Sequence, residues 1–336
     1  MKPALDLITM GRCSIDLYSH DLGAAFPDIH RFGAYIGGSP LNIAVGARRL
    51  GLRTALLTAV GPDQVGEFVV ERLRREGVET RFIPVKPGTR TPAVLLGIEP
   101  PDRFPITFYR ENAADIQLTI DDVAALPLSE ARAVQLSGAA LAKEPSRSAI
   151  FYAAEQARAL GLTVFLDLDF RADAWHDPRA YGLMVRALLP LVDIAIGTEE
   201  EVNAAMLRRP EDLTIRHSQI TAPEIRGDLP ANIRALLERG VRALVVKRGA
   251  KGSEVHLPSG EVILAPGFSV EVVSILGAGD AFAAGFIYGH LQGWDYYRAA
   301  RLGNACGAIV VTRIGCADFT PYEDEVMAFI EGQGGF

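Results

Sequence analysis

Residues 274–286 read SILGAGDAFAAGF, and this stretch decides how the rest of the chain is interpreted. Gly277 and Gly279 stand directly before Asp280, and a run of small and apolar residues follows. Glycine lets the backbone approach a ligand closely, and the free amides at the start of a helix attract anions. The apolar run predicts a buried helix that holds the turn rigidly. The stretch therefore places a carboxylate beside an anion-binding turn.

Phosphoryl transfer to a hydroxyl needs both of these features. The hydroxyl needs a base to accept its proton, and the transferred group needs donors for its negative charge. Asp280 is the candidate base, and Gly277, Ala278 and Gly279 form the candidate anion hole together with the amide of Asp280. The alternative is an ordinary turn in which Asp280 only caps a helix, and the turn alone leaves both interpretations open.

A second glycine motif, GGSPLNIAVGARRLG, occupies residues 37–51. Gly37 and Gly38 permit a close approach of the backbone to a ligand, and Asn42 offers an amide to a polyol. Taken alone, the motif is better explained as a strand-to-helix turn in which Ser39 is the cap.

The composition limits the class of protein. Of 336 residues, 49% are hydrophobic and 22% charged, with a net charge of −7, which argues against a broad nucleic-acid surface. The opening MKPALDLITMGRC lacks the pattern of a signal peptide, and the apolar runs are too short to span a membrane. Cys13, Cys306 and Cys316 form no CxxC pair, so we expect reduced thiols in a cytoplasmic protein.

Short apolar runs alternate with helix-like segments, which predicts an α/β fold with a parallel sheet. The predicted strands lie near residues 5–11, 53–60, 132–137, 162–167, 192–196 and 242–247. Residues 12–37 and 92–111 interrupt the alternation and predict a small antiparallel sheet, a lid inserted in one domain that spans residues 1–336. The polar segment 208–228 is expected to be an exposed loop.

Several common signatures are absent from the sequence. It contains no GxxxxGK[ST] and no HExxH, which argues against a P-loop and a zinc centre. GAGDAF is not a dinucleotide fingerprint, because Phe282 takes the sixth position and Asp280 would repel a pyrophosphate.

The two glycine motifs together, in this order and at this distance, resemble the PfkB (ribokinase-like) family of carbohydrate kinases over essentially the whole chain. The resemblance implies a three-layer α/β/α Rossmann-like core, a β-sheet lid, and transfer of the γ-phosphoryl group of ATP to a sugar hydroxyl with Mg²⁺. It makes Asp280 the catalytic base. The family often has Asp-Thr before GAGD, where this chain has Ser274 and Ile275, so a monovalent cation such as K⁺ is an open question.

The resemblance also implies positions for the nucleotide and the metal. GTEEEV at 197–202 resembles a segment that holds Mg²⁺ through water, which points to Glu200 although Gly197 replaces the family asparagine. The nucleotide candidates are Lys247, Gly249 and Gly252 in VVKRGAKGS, and Asn304 in RLGNACGAIVV. Each has an ordinary alternative: a solvated helix start, surface cations, or a polar residue between helices.

The pattern of charges indicates an anionic sugar. FYREN places Arg110 and Asn112 at the end of a lid segment, and LDLDFRADAW places Asp169 and Arg171 after a core strand. A guanidinium matches a carboxylate with two hydrogen bonds, so arginines on both sides of a sugar pocket suggest a sugar acid. Asp16 is expected to bind sugar hydroxyls, and Arg12 is a third cation.

The wording GRCSIDLY, FYRENAAD and DLDFRADAW resembles one branch of the family. That branch acts in inositol catabolism, where it phosphorylates the terminal primary hydroxyl of 5-dehydro-2-deoxy-D-gluconate. The alternative substrate is 2-keto-3-deoxygluconate. A nucleoside kinase and a catalytically silent sugar-acid sensor are further alternatives. Exposed lid edges favour a homodimer or a higher homo-oligomer.

Overall fold

The computed structural model describes residues 4–99, 103–215 and 223–336. The strands of these residues, in chain order, are β1 (Leu7–Met10), β2 (Ser14–Ser19), β3 (Phe32–Gly37), β4 (Thr54–Leu57), β5 (Ala93–Leu96), β6 (Ile106–Tyr109), β7 (Ala133–Ser137), β8 (Thr163–Asp167), β9 (Ile194–Thr198), β10 (Leu213–Thr214), β11 (Glu224–Ile225), β12 (Ala243–Lys247), β13 (Ser253–His256) and β14 (Val262–Ala265). The α-helices are α1 (Ser39–Arg49), α2 (Gln64–Arg75), α3 (Ile120–Ala124), α4 (Ser146–Ala159), α5 (Pro178–Leu188), α6 (Glu199–Ala205), α7 (Leu229–Leu237), α8 (Ala278–Leu291), α9 (Tyr296–Val311) and α10 (Glu323–Gly332).

Eight strands form the main sheet, in the order β14-β13-β12-β9-β8-β7-β1-β4. The six strands from β12 to β4 are parallel, and they are the six that the sequence predicts. β13 and β14 add an antiparallel hairpin at one edge. Parallel strands end at the same edge of a sheet, so the residues that follow β1, β7, β8 and β12 lie near one another.

Helices cover both faces of the main sheet, as the apolar strands predict. In β12, Ala243 and Val245 join a buried cluster with α1, α8, α9 and α10, whereas Leu244 and Val246 join a second cluster with α3 to α7. This alternation confirms the predicted three layers. The predicted buried helix is α8, in which every residue from Ala281 to Gly289 is buried.

A separate sheet of four strands, in the order β3-β2-β5-β6, comes from the two segments predicted to form a lid. It is mixed and not antiparallel, because β2 and β5 run parallel, with Ile15 opposite Ala93. The prediction of an antiparallel sheet was wrong on this pair. The chain passes through α1, β4 and α2 between β3 and β5, and it therefore enters β5 in the direction of β2.

The predicted loop at 208–228 contains the short antiparallel pair β10 and β11, and its residues 216–222 lie outside the described residues. Cys13, Cys306 and Cys316 are free and buried. No helix within the described ranges has the length and apolar character needed to cross a bilayer.

Candidate active site

The GAGD turn begins α8. Gly277 is the N-terminal cap of the helix with φ 77°, and the amides of the first turn have no partner within the helix. A Cβ at Gly277 would lie 2.9 Å from the Cα of Cys316, and one at Gly279 would lie 3.1 Å from Nζ of Lys247. Both glycines therefore allow close packing around a set of free amides, and Gly277 also needs its left-handed backbone.

Asp280 lies in the first turn of α8 and is half-buried. Its Oδ2 accepts a hydrogen bond of 2.6 Å from Nδ2 of Asn42 in α1. The fold thus brings the two glycine motifs together, because α1 and α8 pack side by side on one face of the main sheet. A carboxylate with one oxygen bound in this way keeps its other lone pairs for a ligand.

A buried cation lies beside the turn. Nζ of Lys247, at the end of β12, lies 3.5 Å from Oδ1 of Asp167 and 3.9 Å from Oε2 of Glu201. Oγ of Ser39 donates to the other oxygen of Asp167 at 2.6 Å. Burial raises the pKa of Asp167 to about 7 against the attraction of Lys247. Burial lowers the pKa of Lys247, but the carboxylates of Asp167, Glu201 and Asp280 outweigh it and raise that pKa.

Three of the predicted cations line one cavity of about 240 Å³: Arg12, Arg110 and Arg171. Arg171 lies 2.8 Å and Arg12 3.6 Å from Oδ1 of Asp169, whose Oδ2 accepts a hydrogen bond from Ser137. Burial raises the pKa of Asp169, but the two guanidinium groups outweigh it and lower that pKa. The carboxylate of Asp169 is buried, and its ion pairs hold the side chains of Arg12 and Arg171 in place.

Asp115 has the same role for Arg110. Nη2 of Arg110 donates to both of its oxygens, at 2.8 and 3.0 Å, and the backbone amide of Cys13 donates to Oδ2 at 3.2 Å. Asp115 therefore fixes Arg110 and also the backbone next to Arg12. The cavity lining does not include Asp280, although the Asp280 carboxylate helps to raise the pKa of Arg171.

Asp16 and the paired glycines pack together beside the backbone of Arg12, and they are not part of the cavity lining. A Cβ at Gly37 would lie 2.0 Å from Oδ2 of Asp16, and one at Gly38, where φ is 107°, would lie 2.6 Å from the carbonyl oxygen of Arg12. Both positions therefore require glycine. Oγ of Ser14 donates to Asp16 at 2.6 Å, and burial raises the pKa of Asp16 to about 6.

Two predicted residues lie elsewhere. Nδ2 of Asn112 donates to the carbonyl oxygen of Gly88 at 2.5 Å, and this exposed residue does not line the cavity, so the structure does not bring it together with the cavity arginines. Glu200 is exposed, whereas Glu201 is the glutamate that faces Lys247. Thr198 caps α6 together with Glu201, and this capping turns Glu201 back towards the sheet.

The other nucleotide candidates lie around the turn from β12 to β13 and the end of β14. Gly249 (φ 56°) and Gly252 (φ 96°) shape the turn from β12 to β13, and a Cβ at Gly252 would lie 2.2 Å from the carbonyl oxygen of Ala265. Nδ2 of Asn304 donates to the carbonyl oxygens of Ala265 and Pro266, at 3.0 and 3.1 Å. Asn304 thus braces the end of β14.

Sequence reasoning missed three residues of the site: Asp115, Glu201 and Lys143, a fourth cation of the cavity. Asp115 follows FYREN by three residues, so the quoted motif FYRENAAD contained it. Lys143 resembles an ordinary surface lysine in the sequence, because nothing local shows that its loop faces Arg110.

Comparison with known proteins places this geometry in a family. Residues 4–323 match the profile of the pfkB family carbohydrate kinases. The chain is similar to a 5-dehydro-2-deoxygluconokinase of Geobacillus thermodenitrificans (strain NG80-2), with 35% identity over 332 residues that cover 98% of this chain and 94% of that protein.

Two solved structures resemble the chain in fold. One is a provisionally named ribokinase II from E. coli in complex with ATP and Mg²⁺, with TM-score 0.84 and 25% identity, covering 98% of this chain and 99% of that one. The other is a double-mutant fructokinase from Vibrio cholerae O395 with fructose, ADP and potassium ion bound, with TM-score 0.81, 25% identity and coverage of 98% and 99%.

Proposed function

Because the chain belongs to the pfkB family of carbohydrate kinases, we propose that it transfers the γ-phosphoryl group of ATP to the terminal primary hydroxyl of 5-dehydro-2-deoxy-D-gluconate. The observation that carries the proposal is the pairing of two features: a carboxylate beside a free set of amides at Asp280, and a cavity lined by Arg12, Arg110 and Arg171. The first suits phosphoryl transfer, and the second suits a carboxylate on the sugar.

The name of the Geobacillus relative supports this substrate. A sugar acid supplies a carboxylate that the cations of the cavity can bind, whereas a neutral sugar supplies only hydroxyls. We place the enzyme in the cytoplasm, in inositol catabolism. We also propose that the four-stranded sheet acts as the lid of a single kinase domain and excludes water while ATP is bound.

In the proposed mechanism, Arg110 and Arg171 bind the substrate carboxylate, while Asp16, Gly38 and Asn42 orient the polyol. Asp280 accepts the proton of the terminal hydroxyl as its oxygen attacks the γ-phosphorus. The new P–O bond forms as the bond to the β-phosphate oxygen breaks, and ADP leaves. The amides of residues 277–280 stabilise the charge on the transferred group, and Lys247 adds a positive charge next to Gly279.

The residues present fit a Mg²⁺ ion held mainly by phosphate oxygens and water. Mg²⁺ usually keeps several waters and uses one or two carboxylates together with substrate phosphates. Both carboxylate oxygens of Glu201 already accept hydrogen bonds from backbone amides, whereas Glu200 is exposed, so Glu200 is the candidate to hold it. Bound Mg²⁺ neutralises phosphate charge during transfer.

A monovalent cation such as K⁺ is less well supported here. Ser274 is buried, and its Oγ accepts a hydrogen bond of 3.3 Å from the amide of Leu276. A hydroxyl supplies no negative charge to a cation, so we expect turnover in sodium and potassium buffers of equal ionic strength to agree.

The test is a substrate panel. Purified protein is incubated with ATP, Mg²⁺ and one of 5-dehydro-2-deoxy-D-gluconate, 2-keto-3-deoxygluconate or adenosine, and the phosphorylated product is identified by mass spectrometry. We expect the highest kcat/KM for the first acid. A preference for the second acid would reassign the substrate, turnover of adenosine alone would indicate a nucleoside kinase, and no product at saturation would indicate a sensor.

A further inference from the structure

The charges of the cavity are unequally compensated. Arg110 donates to both oxygens of Asp115, and Arg171 and Arg12 lie 2.8 and 3.6 Å from Asp169. The side chains of both aspartates are only 1% exposed. Each guanidinium therefore has a carboxylate within the protein that offsets part of its positive charge.

Lys143 is the exception among the cations of this cavity. Its ammonium has no carboxylate oxygen within 4.0 Å among residues 4–99, 103–215 and 223–336, although it lines the same cavity as Arg110 and Arg171. The neighbouring acid is engaged elsewhere, because Glu144 accepts a hydrogen bond from Oγ of Ser148 at 2.8 Å and lies 3.7 Å from Arg147.

The loop that carries Lys143 is fixed in place. Arg147 donates from its side chain to the carbonyl oxygens of Leu141 and Ala142, at 2.8 and 2.9 Å, and from its backbone amide to the carbonyl oxygen of Lys143 at 2.9 Å. The backbone of Lys143 is thus held on both sides, and only its flexible side chain has to order when a ligand binds.

The acidic residues of the lining do not cancel this charge. Glu111, Asp173 and Lys143 all line the cavity and are all exposed to solvent, and within the described ranges neither carboxylate lies within 4.0 Å of the Lys143 ammonium. An anion that enters the cavity therefore meets one cation that has no acid partner within 4.0 Å among the described residues, and three arginines that share two buried carboxylates.

We infer that Lys143 recognises the negative charge of the substrate, its ammonium binding the carboxylate of the sugar acid and so selecting an acid over a neutral sugar. Arg110 and Arg171 donate to the same carboxylate, as in the proposed mechanism, and Arg12 adds a further positive charge to the cavity. The inference rests on the proposed function for the identity of the substrate, but the choice of acid over neutral polyol can be measured without turnover.

The experiment measures binding of D-gluconate and of its neutral counterpart D-glucitol by calorimetry, to the wild type and to Lys143→Met, Lys143→Arg and Arg239→Met. Arg239 is an exposed cation outside the cavity, so its substitution removes the same net charge elsewhere. We expect the wild type and Arg239→Met to bind gluconate more tightly than glucitol. Lys143→Met should lose about tenfold in affinity for gluconate and little for glucitol, and Lys143→Arg should recover most of it.

Kinetics provide the second measurement. Lys143→Met should raise KM for the sugar acid about tenfold, with kcat and KM for ATP near those of the wild type. An unchanged preference for gluconate in Lys143→Met, or no preference in the wild type, would overturn the inference. If the wild type prefers gluconate but phosphorylates no sugar acid, the proposed function fails while the role of Lys143 stands.

Discussion

Asp280 holds its place through a contact from a distant part of the chain, the 2.6 Å hydrogen bond from Asn42. Asparagine has the same shape and its amide oxygen can still accept this bond, so Asp280→Asn should fold normally. It cannot take up the substrate proton, and we expect kcat to fall about a thousandfold, within the range attributed to a positioned base. Steady-state kinetics at saturating ATP and sugar acid check this.

The control is Asp295→Asn, in which the exposed cap of α9 changes in the same way far from the turn. It should leave kcat unchanged, since asparagine caps helices as well as aspartate does. Near-normal turnover in Asp280→Asn would mean that another group is the base.

Arg110 combines binding with structure, because it neutralises the buried Asp115. Arg110→Ala should raise KM for the sugar acid far more than KM for ATP, and it should also lower the free energy of unfolding by about 2–5 kcal/mol by leaving Asp115 unpaired. The double variant Arg110→Ala/Asp115→Ala should recover much of the stability but not the KM. Denaturant unfolding and kinetics on the same preparations separate the two effects, and equal increases in both KM values would count against a carboxylate clamp.

Asp16 gives the stability a dependence on pH. Burial raises its pKa to about 6 in the folded protein, above the value of about 3.9 in an unfolded chain. Its contribution to stability is therefore complete below about pH 4 and is lost as the pH rises through 6. Asparagine does not titrate, so Asp16→Asn does not lose stability in this way. Relative to the wild type, the free energy of unfolding of the variant should therefore rise by about 2–3 kcal/mol from acidic to neutral pH.

Urea unfolding across this pH range measures the effect, and Asp6→Asn is a control of opposite sign. Asp6 accepts hydrogen bonds from Arg53 that lower its pKa to about 2, so its contribution is present at neutral pH and lost as the pH falls. A stability difference between Asp16→Asn and the wild type that stays constant with pH would refute the raised pKa.

The sequence allowed the reacting groups to be predicted better than the groups that support them. Asp280 and Asn42 carry recognisable motifs, and the structure brings them into contact. The roles of Asp115 and Lys143 depend on where the fold places them. No local sequence pattern reveals that Asp115 pairs with Arg110, or that Lys143 lines the cavity. The resemblance of GTEEEV to the family's metal segment points to Glu200, but no local pattern shows that the cap of α6 turns the neighbouring Glu201 towards Lys247.

Among the elements, the turn before α8 places the strictest demand on the chain. Gly277 has a left-handed backbone, with φ 77°, and an added Cβ there would lie 2.9 Å from the Cα of Cys316. Gly277→Ala should therefore displace the amides of the turn and lower kcat by about 10²–10³-fold, the cost of one lost oxyanion donor. The strain should also cost about 1–3 kcal/mol in unfolding free energy.

Gly88→Ala is the matched control for this prediction. Gly88 has φ 76°, but nothing lies within 4 Å of an added Cβ. It should show the cost of the backbone alone, with normal kcat. If both variants lose stability equally and keep their activity, close packing against Cys316 is unimportant for the turn.

Strands and helices of the core were predictable because each carries its own periodicity and its own stop signals. The pairing of β2 with β5 was not, since the direction of a strand depends on the path of the chain between, here through α1, β4 and α2. Alternation of side chains gives the face of a strand but not the direction of its neighbour.

At the scale of the whole molecule, one segment connects the four-stranded sheet with the catalytic turn. Sγ of Cys316, which packs against Gly277, lies 2.8 Å from the hydroxyl of Tyr18 in β2. The ring of Phe319 lies 5.4 Å from that of Tyr35 in β3. A movement of the four-stranded sheet would therefore reach the anion-binding turn through residues 316–319.

The four-stranded sheet also bears on assembly. Its outer strands are β3 and β6, and neither has a second strand partner among the described residues. Exposed edges invite pairing with another chain, and a specific dimer is one way to cover them. We expect a homodimer in solution, in which the edge strands β3 and β6 contact those of a second copy. This contact should stabilise the position of each four-stranded sheet.

Sedimentation velocity on the wild type and on Ala34→Lys and Thr107→Lys tests this expectation. Both residues are exposed, Ala34 on β3 and Thr107 on β6, and a lysine on an edge strand opposes pairing without entering the core. At least one variant should sediment as a monomer, with a higher KM for the sugar acid because its lid sheet has lost the support of the partner. Since Leu160→Lys adds the same charge at the exposed end of α4, it should leave the dimer intact. A monomeric wild type would show that the edges are protected within one chain, and the cavity would then have to be closed by a single lid.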